Sequence, residues 1–380
     1  METLSTTKVH GGNLYKLKMA SAPSLGGLPA NFAVFVPSNK ANASAKFPVL
    51  FFLAGLTCTE DNAPQKGSFL GPASENGLAM VFPDTSPRGA GIATEDDSWD
   101  FGTGAGFYVD ATKSPWSQHY NMASFVTRDL MEAIAGHAPL AAVLDLQRVS
   151  VSGHSMGGHG ALTLYLKSNL FRCASAFAPI CNPSECPWGV KAFSGYLEGG
   201  VEEGKKHDAT ELVKNTHSQS RKLDVLIDCG LADTFYIQKQ LLPENFEKAS
   251  RASGFTKEQV SVNLHDGYDH SYYFVSSFAK AHVEWHAQRL KHLSEEMKRA
   301  LVAVGIFTAV FGSVHVANAV QVYRKVCSAS SSSSSRPVFD CHSGATNHST
   351  AQRTGKAQVD ASGFESGSIV LKSIEWTLDG

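Results

Sequence analysis

The residues best placed to do chemistry lie between Arg148 and Ala161. A β-branched run, Val149 to Val151, ends in Gly153-His154-Ser155-Met156-Gly157 and passes into an apolar segment, 161–166, that reads as a helix. A serine on a tight strand-to-helix turn is the pattern of a nucleophile elbow. Gly-x-Ser-x-Gly also recurs by chance in glycine-rich chains, and the strand before it and the helix after it are what give it weight here. The strained turn needs small neighbours, which Gly153 and Gly157 supply, and it lifts the Ser155 hydroxyl out of the sheet. The Met156 amide then sits at a helix N-terminus, where unpaired N–H groups favour a developing negative charge. A serine hydroxyl is a poor nucleophile at neutral pH, so it needs a general base and an acid to hold that base in one tautomer. Asp233 follows the apolar run 223–229, and His270 follows the run 259–264. Both are loop residues and stand in the order Ser, Asp, His. Asp228 and His265 are the rivals; Asp228 lies inside its apolar strand and His265 directly at a strand end, which leaves each less free to reach Ser155. A second oxyanion amide is expected from the loop after the run 48–53, where Gly55 lets the backbone turn inward and aims the Leu56 N–H at the substrate.

These residues need a frame, and the patterning describes one. Alternation over 13–19 and 30–36 predicts half-buried strands. The solid apolar runs 48–53 and 78–82 predict strands covered on both faces. Further strands are expected over 173–178, 223–229 and 259–264, with helices over 120–135, 243–253 and 272–290. Strands alternating with helices predict an α/β fold, a mostly parallel central sheet with helices on both faces. Between Pro83 and Tyr108 runs a long segment with no period of its own but many aromatics, expected to roof the pocket. Its glycines lack the strand and helix context of a phosphate-binding fingerprint. The stretch 182–204, rich in Gly, Pro and Trp, fits a pocket wall and a surface loop equally.

Bulk properties narrow the classes. A chain of 380 residues with 43% hydrophobic and 18% charged residues and a formal charge of −2 has the balance of a globular protein. It has no basic tract to suit nucleic acid and no zinc-type cysteine spacing, so neither a metal nor an organic cofactor is expected. Seven scattered cysteines and an N-terminus without an apolar signal core fit a reduced, cytoplasmic setting. In that setting the glycosylation triplets at Asn42 and Asn347 are accidental.

Several long motifs occur together and in order: 55–59, 83–89, 99–108, 153–161 and 267–273. With them the chain resembles the S-formylglutathione hydrolase (esterase D) family over about residues 1–292. The resemblance implies an α/β-hydrolase fold and a cytoplasmic, homodimeric thioesterase of formaldehyde detoxification, with S-formylglutathione as substrate. It matches Ser155, Asp233 and His270 to the family triad and Leu56 and Met156 to its oxyanion amides. It also sets Cys58 beside the site, as a thiol open to reagents. The segment 198–207 departs from the family pattern in being more acidic and lysine-rich. A short-chain carboxylesterase or an acyltransferase would use the same residues with a different pocket. A non-catalytic tethered scaffold would keep the fold alone.

Beyond Leu293 the character changes. Residues 293–326 form an apolar segment in which 300–320 is uncharged and flanked by Lys298, Arg299, Arg324 and Lys325. That length suits a membrane anchor, while its glycines, His315 and Asn318 suit a buried or interfacial helix as well. Residues 327–380 read as a serine-rich linker and a largely disordered tail, with a short strand near 368–371.

Overall fold

Seven consecutive buried residues, Phe47–Leu53, make β4 the middle of the sheet. A strand so apolar must be covered on both faces, and it is, with β5 (Ala79–Pro83) on one side and β6 (Leu144–His154) on the other, both parallel to it. A computed structural model describes residues 1–38 and 45–291, together with three strands of the C-terminal extension, 338–342, 353–360 and 370–378. Contacts divide the chain into two units, Met1–His292 and Leu293–Gly380.

In the first unit nine strands run in the order β1-β2-β3-β5-β4-β6-β7-β8-β9. Strands β1 (Glu2–Val9), β2 (Gly12–Met19) and β3 (Ala30–Val36) join antiparallel to one another and to β5. From β5 to β9 every pair is parallel, through β7 (Ala174–Phe177), β8 (Val225–Gly230) and β9 (Val260–His265). The α/β expectation of a mostly parallel sheet therefore holds. Nothing in the sequence pattern marks β1, because its polar residues, Ser5 to Thr7 among them, are exposed and show no buried alternation. Pro48 sits next to a register shift between Pro48 and Val49, where β4 only begins to pair with β6.

Register decides where the chemistry can lie. Leu53 pairs with Gly153, His154 with Phe177, Phe177 with Asp228, and Gly230 with His265. The C-terminal ends of five parallel strands are thus in line, and the loops that follow them share one edge of the sheet, the usual place for a site in such folds. Beneath this edge Phe52, Phe69, Phe82 and Phe177 cluster, with Phe52 and Phe69 centroids 4.5 Å apart. Burying each such ring contributes on the order of 1.5–3 kcal/mol.

The closing helix Tyr272–Lys291 lies across the sheet through a polar contact as well as apolar ones. His282 lies 2.9 Å from Asp228 through Nε2 and 2.8 Å from the Ser175 hydroxyl through Nδ1, and Ser175 in turn meets His286 Nε2 at 2.8 Å. All four are buried. Buried polar groups are tolerable only when they satisfy one another in this way.

The second unit is described only by its backbone: β10 (Val338–His342), β11 (Arg353–Asp360) and β12 (Val370–Leu378) form an antiparallel sheet in that order. Where the polar composition suggested a tail largely without order, these segments pair as strands, and β12 overlaps the expected short strand near 368–371 at residues 370 and 371. The apolar segment 300–320 lies outside the described residues. Among those described, no helix is long and apolar enough to cross a membrane.

Candidate active site

Ser155 interrupts β6 and the helix Met156–Lys167 with φ 58° and ψ −117°, a conformation that an L-residue adopts only when its surroundings impose it. Those surroundings are visible. The Ser155 N–H donates to the Phe177 carbonyl at 2.9 Å, and the Ser155 carbonyl accepts from His159 N at 3.0 Å and Ile180 N at 3.3 Å. A Cβ on Gly153 would stand 2.1 Å from the Gly157 oxygen, and one on Gly157 1.9 Å from the Leu53 oxygen. Only glycine lets strand, turn and helix approach this closely.

Asp233 caps the short helix Thr234–Ile237. Its Oδ1 accepts from Phe235 N at 2.8 Å and Tyr236 N at 3.3 Å, while Oδ2 lies 2.5 Å from His270 Nδ1. The carboxylate is fully buried, so its position is set by backbone donors on one side and the imidazole on the other. Phe235 packs edge-on against the His270 ring at 4.8 Å, and the His154 ring meets it at 4.6 Å. His270 is therefore held through three contacts, and one of them is the residue immediately before Ser155. The structure brings Asp233 and His270 together beside the elbow. No hydrogen bond joins Ser155 and His270 among those of the described residues.

The rivals are engaged elsewhere. Asp228 bonds His282 and accepts from Asn263 Nδ2 at 2.7 Å, and His265 Nε2 lies 3.1 Å from it. Burial alone would raise the Asp228 carboxyl, but these partners together hold it below the usual carboxylate range.

The loop after β4 lies against the elbow, since a Cβ on Gly55 would stand 3.3 Å from Ser155 Cβ. Thr57 N donates to Gly104 O at 2.9 Å and Cys58 N to Gly55 O at 3.3 Å, while the Tyr108 hydroxyl donates to Ala54 O at 3.0 Å. Among the described hydrogen bonds, neither the Leu56 N–H nor the Met156 N–H has a protein acceptor. Two unclaimed amides on either side of a serine are the donors that an oxyanion needs. The motif 83–89 clamps the same loop: the Cys58 carbonyl accepts from Thr85 Oγ1 at 2.5 Å and from Arg88 Nη2 at 3.1 Å, and Arg88 is paired with Asp84 at 2.6 Å. Burial pushes the Cys58 thiol up, against the opposing effect of the neighbouring Tyr272 hydroxyl. His154 is driven well down by burial and next by the proximity of His270, so it stays neutral.

Several residues of this site carry no mark in the sequence. Trp188, on the helix Pro187–Tyr196, meets Phe235 at 4.6 Å, which makes part of the stretch 182–204 a wall of the site. Tyr272 lies 5.6 Å from His154. Local patterning finds aromatics in these segments but not which of them face His270.

A family model described as a putative esterase matches residues 24–290. The S-formylglutathione hydrolase of Rattus norvegicus is 47% identical over 291 residues, which is 76% of this chain and 99% of the rat protein. The one from Paracoccus denitrificans is 41% identical over 292 residues, 76% of this chain and 98% of its own length. The solved S-formylglutathione hydrolase of Agrobacterium tumefaciens superposes with a TM-score of 0.69 at 42% identity, covering 76% of this chain and all of that one.

Proposed function

The chain belongs to the S-formylglutathione hydrolase family of esterases, and on that premise we propose that it hydrolyses S-formylglutathione to glutathione and formate through Ser155, His270 and Asp233. One observation carries the assignment of residues: a buried Asp233 carboxylate against the half-buried His270 ring, standing beside a strained serine elbow. His270 takes the Ser155 proton as the oxygen attacks the formyl carbon, and Asp233 steadies the imidazolium that forms. The Leu56 and Met156 amides stabilise the tetrahedral oxyanion. Collapse breaks the carbon–sulfur bond, glutathione leaves as thiol with the proton held by His270, and a formyl ester of Ser155 remains. Water then attacks that ester, giving its proton to His270, and formate departs as the proton returns to Ser155.

We assign residues 1–292 as the catalytic domain of a cytoplasmic homodimer, in line with the motifs that end at Tyr273. Cys58 is assigned as a thiol beside the site and not as a participant in the chemistry. The test is steady-state hydrolysis of S-formylglutathione by the full chain and by Ser155→Ala. The variant should fold and lose turnover by about 10⁴-fold or more. Residual hydrolysis near the native rate would sink the assignment of Ser155.

A further inference from the structure

Trp99 stands out because it is large, apolar and 55% exposed, yet it is not loosely held. Its ring packs edge-on against Trp188 at 5.8 Å, Trp188 meets Phe235 at 4.6 Å, and Phe235 meets His270 at 4.8 Å. An unbroken aromatic wall therefore leads from the base outward to solvent, and Trp99 is its outer end. Both chain neighbours of Trp99 are tied down: Lys191 donates to Ser98 Oγ at 2.7 Å and is paired with Asp100. One residue further on, Phe101 stacks on Tyr196 at 4.3 Å. Holding a tryptophan rigid and exposed gains nothing for the core, since the face left in water contributes no burial.

We infer that Trp99 determines leaving-group specificity by receiving the peptide portion of the thiol, on the reading that the substrate is S-formylglutathione. The wall starts at the imidazole that must protonate the departing sulfur, so a chain attached to that sulfur runs along it. Three ring contacts span at most about 15 Å between the outer centroids; the γ-glutamyl arm, which runs from the central cysteine's sulfur to the ammonium, extends on the order of 10 Å, and the breadth of the outer ring covers the remainder. The chemistry also matches. An indole face accepts amide planes and attracts ammonium groups. Glutathione carries two amide planes and one ammonium besides its two carboxylates, and a simple alkyl thiol carries none of these.

The test compares kcat/KM for S-formylglutathione with that for S-formyl-β-mercaptoethanol, which has the same reacting thioester and no peptide. In Trp99→Ala the ratio of the two should fall about tenfold, chiefly through KM for the peptide substrate, and Trp99→Phe should restore most of it. A ratio within about twofold of native in Trp99→Ala, or an equal loss on both substrates, would overturn the inference. The functional reading fails separately: a native chain that is folded but turns over neither thioester refutes that reading, and this inference with it.

Discussion

Asp228 and Asp233 lie five residues apart, the first inside one strand and the second just beyond its end, and serve different ends. Asp228 points into the interior and fastens the closing helix through His282. Asp233 has turned past the sheet edge, where two backbone amides fix one oxygen and leave the other for His270. Replacing Asp233 by Asn keeps the shape but presents an amide to the imidazole, which favours the wrong tautomer; kcat should drop by about 10³–10⁴-fold with little change in thermal midpoint. Cys58 gives a pH test at the same scale. Because burial raises its thiol, little thiolate exists at neutral pH, and alkylation of Cys58, followed by mass spectrometry, should be slow at pH 7 and quicken only as pH passes the ordinary thiol range. A rate already maximal at pH 7 would contradict this environment.

Among the elements, the elbow tolerates least. Gly157 has the Leu53 carbonyl 1.9 Å from where a Cβ would lie, and because the nearest atoms are all backbone of Leu53 and Ala54, no rotamer change relieves the clash. Gly157→Ala should therefore either abolish soluble expression or lower stability by several kcal/mol, at the large end of single substitutions. At Gly89, where a Cβ would meet nothing, the loss should be confined to the strain of its φ of +75°. Thermal melting of the two variants side by side separates close approach from backbone conformation. The long loop 84–110 is organised in its turn by buried polar anchors, such as Tyr120 donating to Glu95 at 2.6 Å and Tyr196 to Ala105 O at 2.9 Å, and these hold it over the site.

For the whole first unit, buried histidines set the response to acid. Burial holds His154 and His286 well below the usual imidazole range and takes His159 to about 4 and His207 to about 3. The unfolded chain protonates the same rings near pH 6.5. Between those values the unfolded state binds more protons than the folded one, so stability falls as pH falls, by up to about 1.4 kcal/mol per pH unit for each ring. The lowered Asp228 carboxyl adds its own loss further down, as pH drops through its folded value. Urea unfolding from pH 7 to pH 4 should show the midpoint declining steadily; a flat profile would mean that these rings are hydrated in solution. The described core lies wholly within residues 17–290. A fragment of residues 1–292 should accordingly melt as one unit and keep the full chain's kcat, which calorimetry and a rate assay would check.

What the sequence by itself determined is local: strands from solid apolar runs, an elbow from glycines around Ser155, and loops carrying Asp233 and His270 after the right strands. Such features are written within a dozen residues, because periodicity and turn chemistry act over that range. Only the tertiary structure decided which side chains meet. Loop position already favours Asp233 over Asp228, but what occupies Asp228 instead, His282, comes from a helix more than fifty residues later in the chain. The aromatic wall joins four residues, at 99, 188, 235 and 270, that no local pattern connects. β1 is not legible in the sequence because an edge strand exposed to solvent carries no burial signal. Contacts of that kind depend on how packed elements cross in space, and sequence proximity carries little record of it.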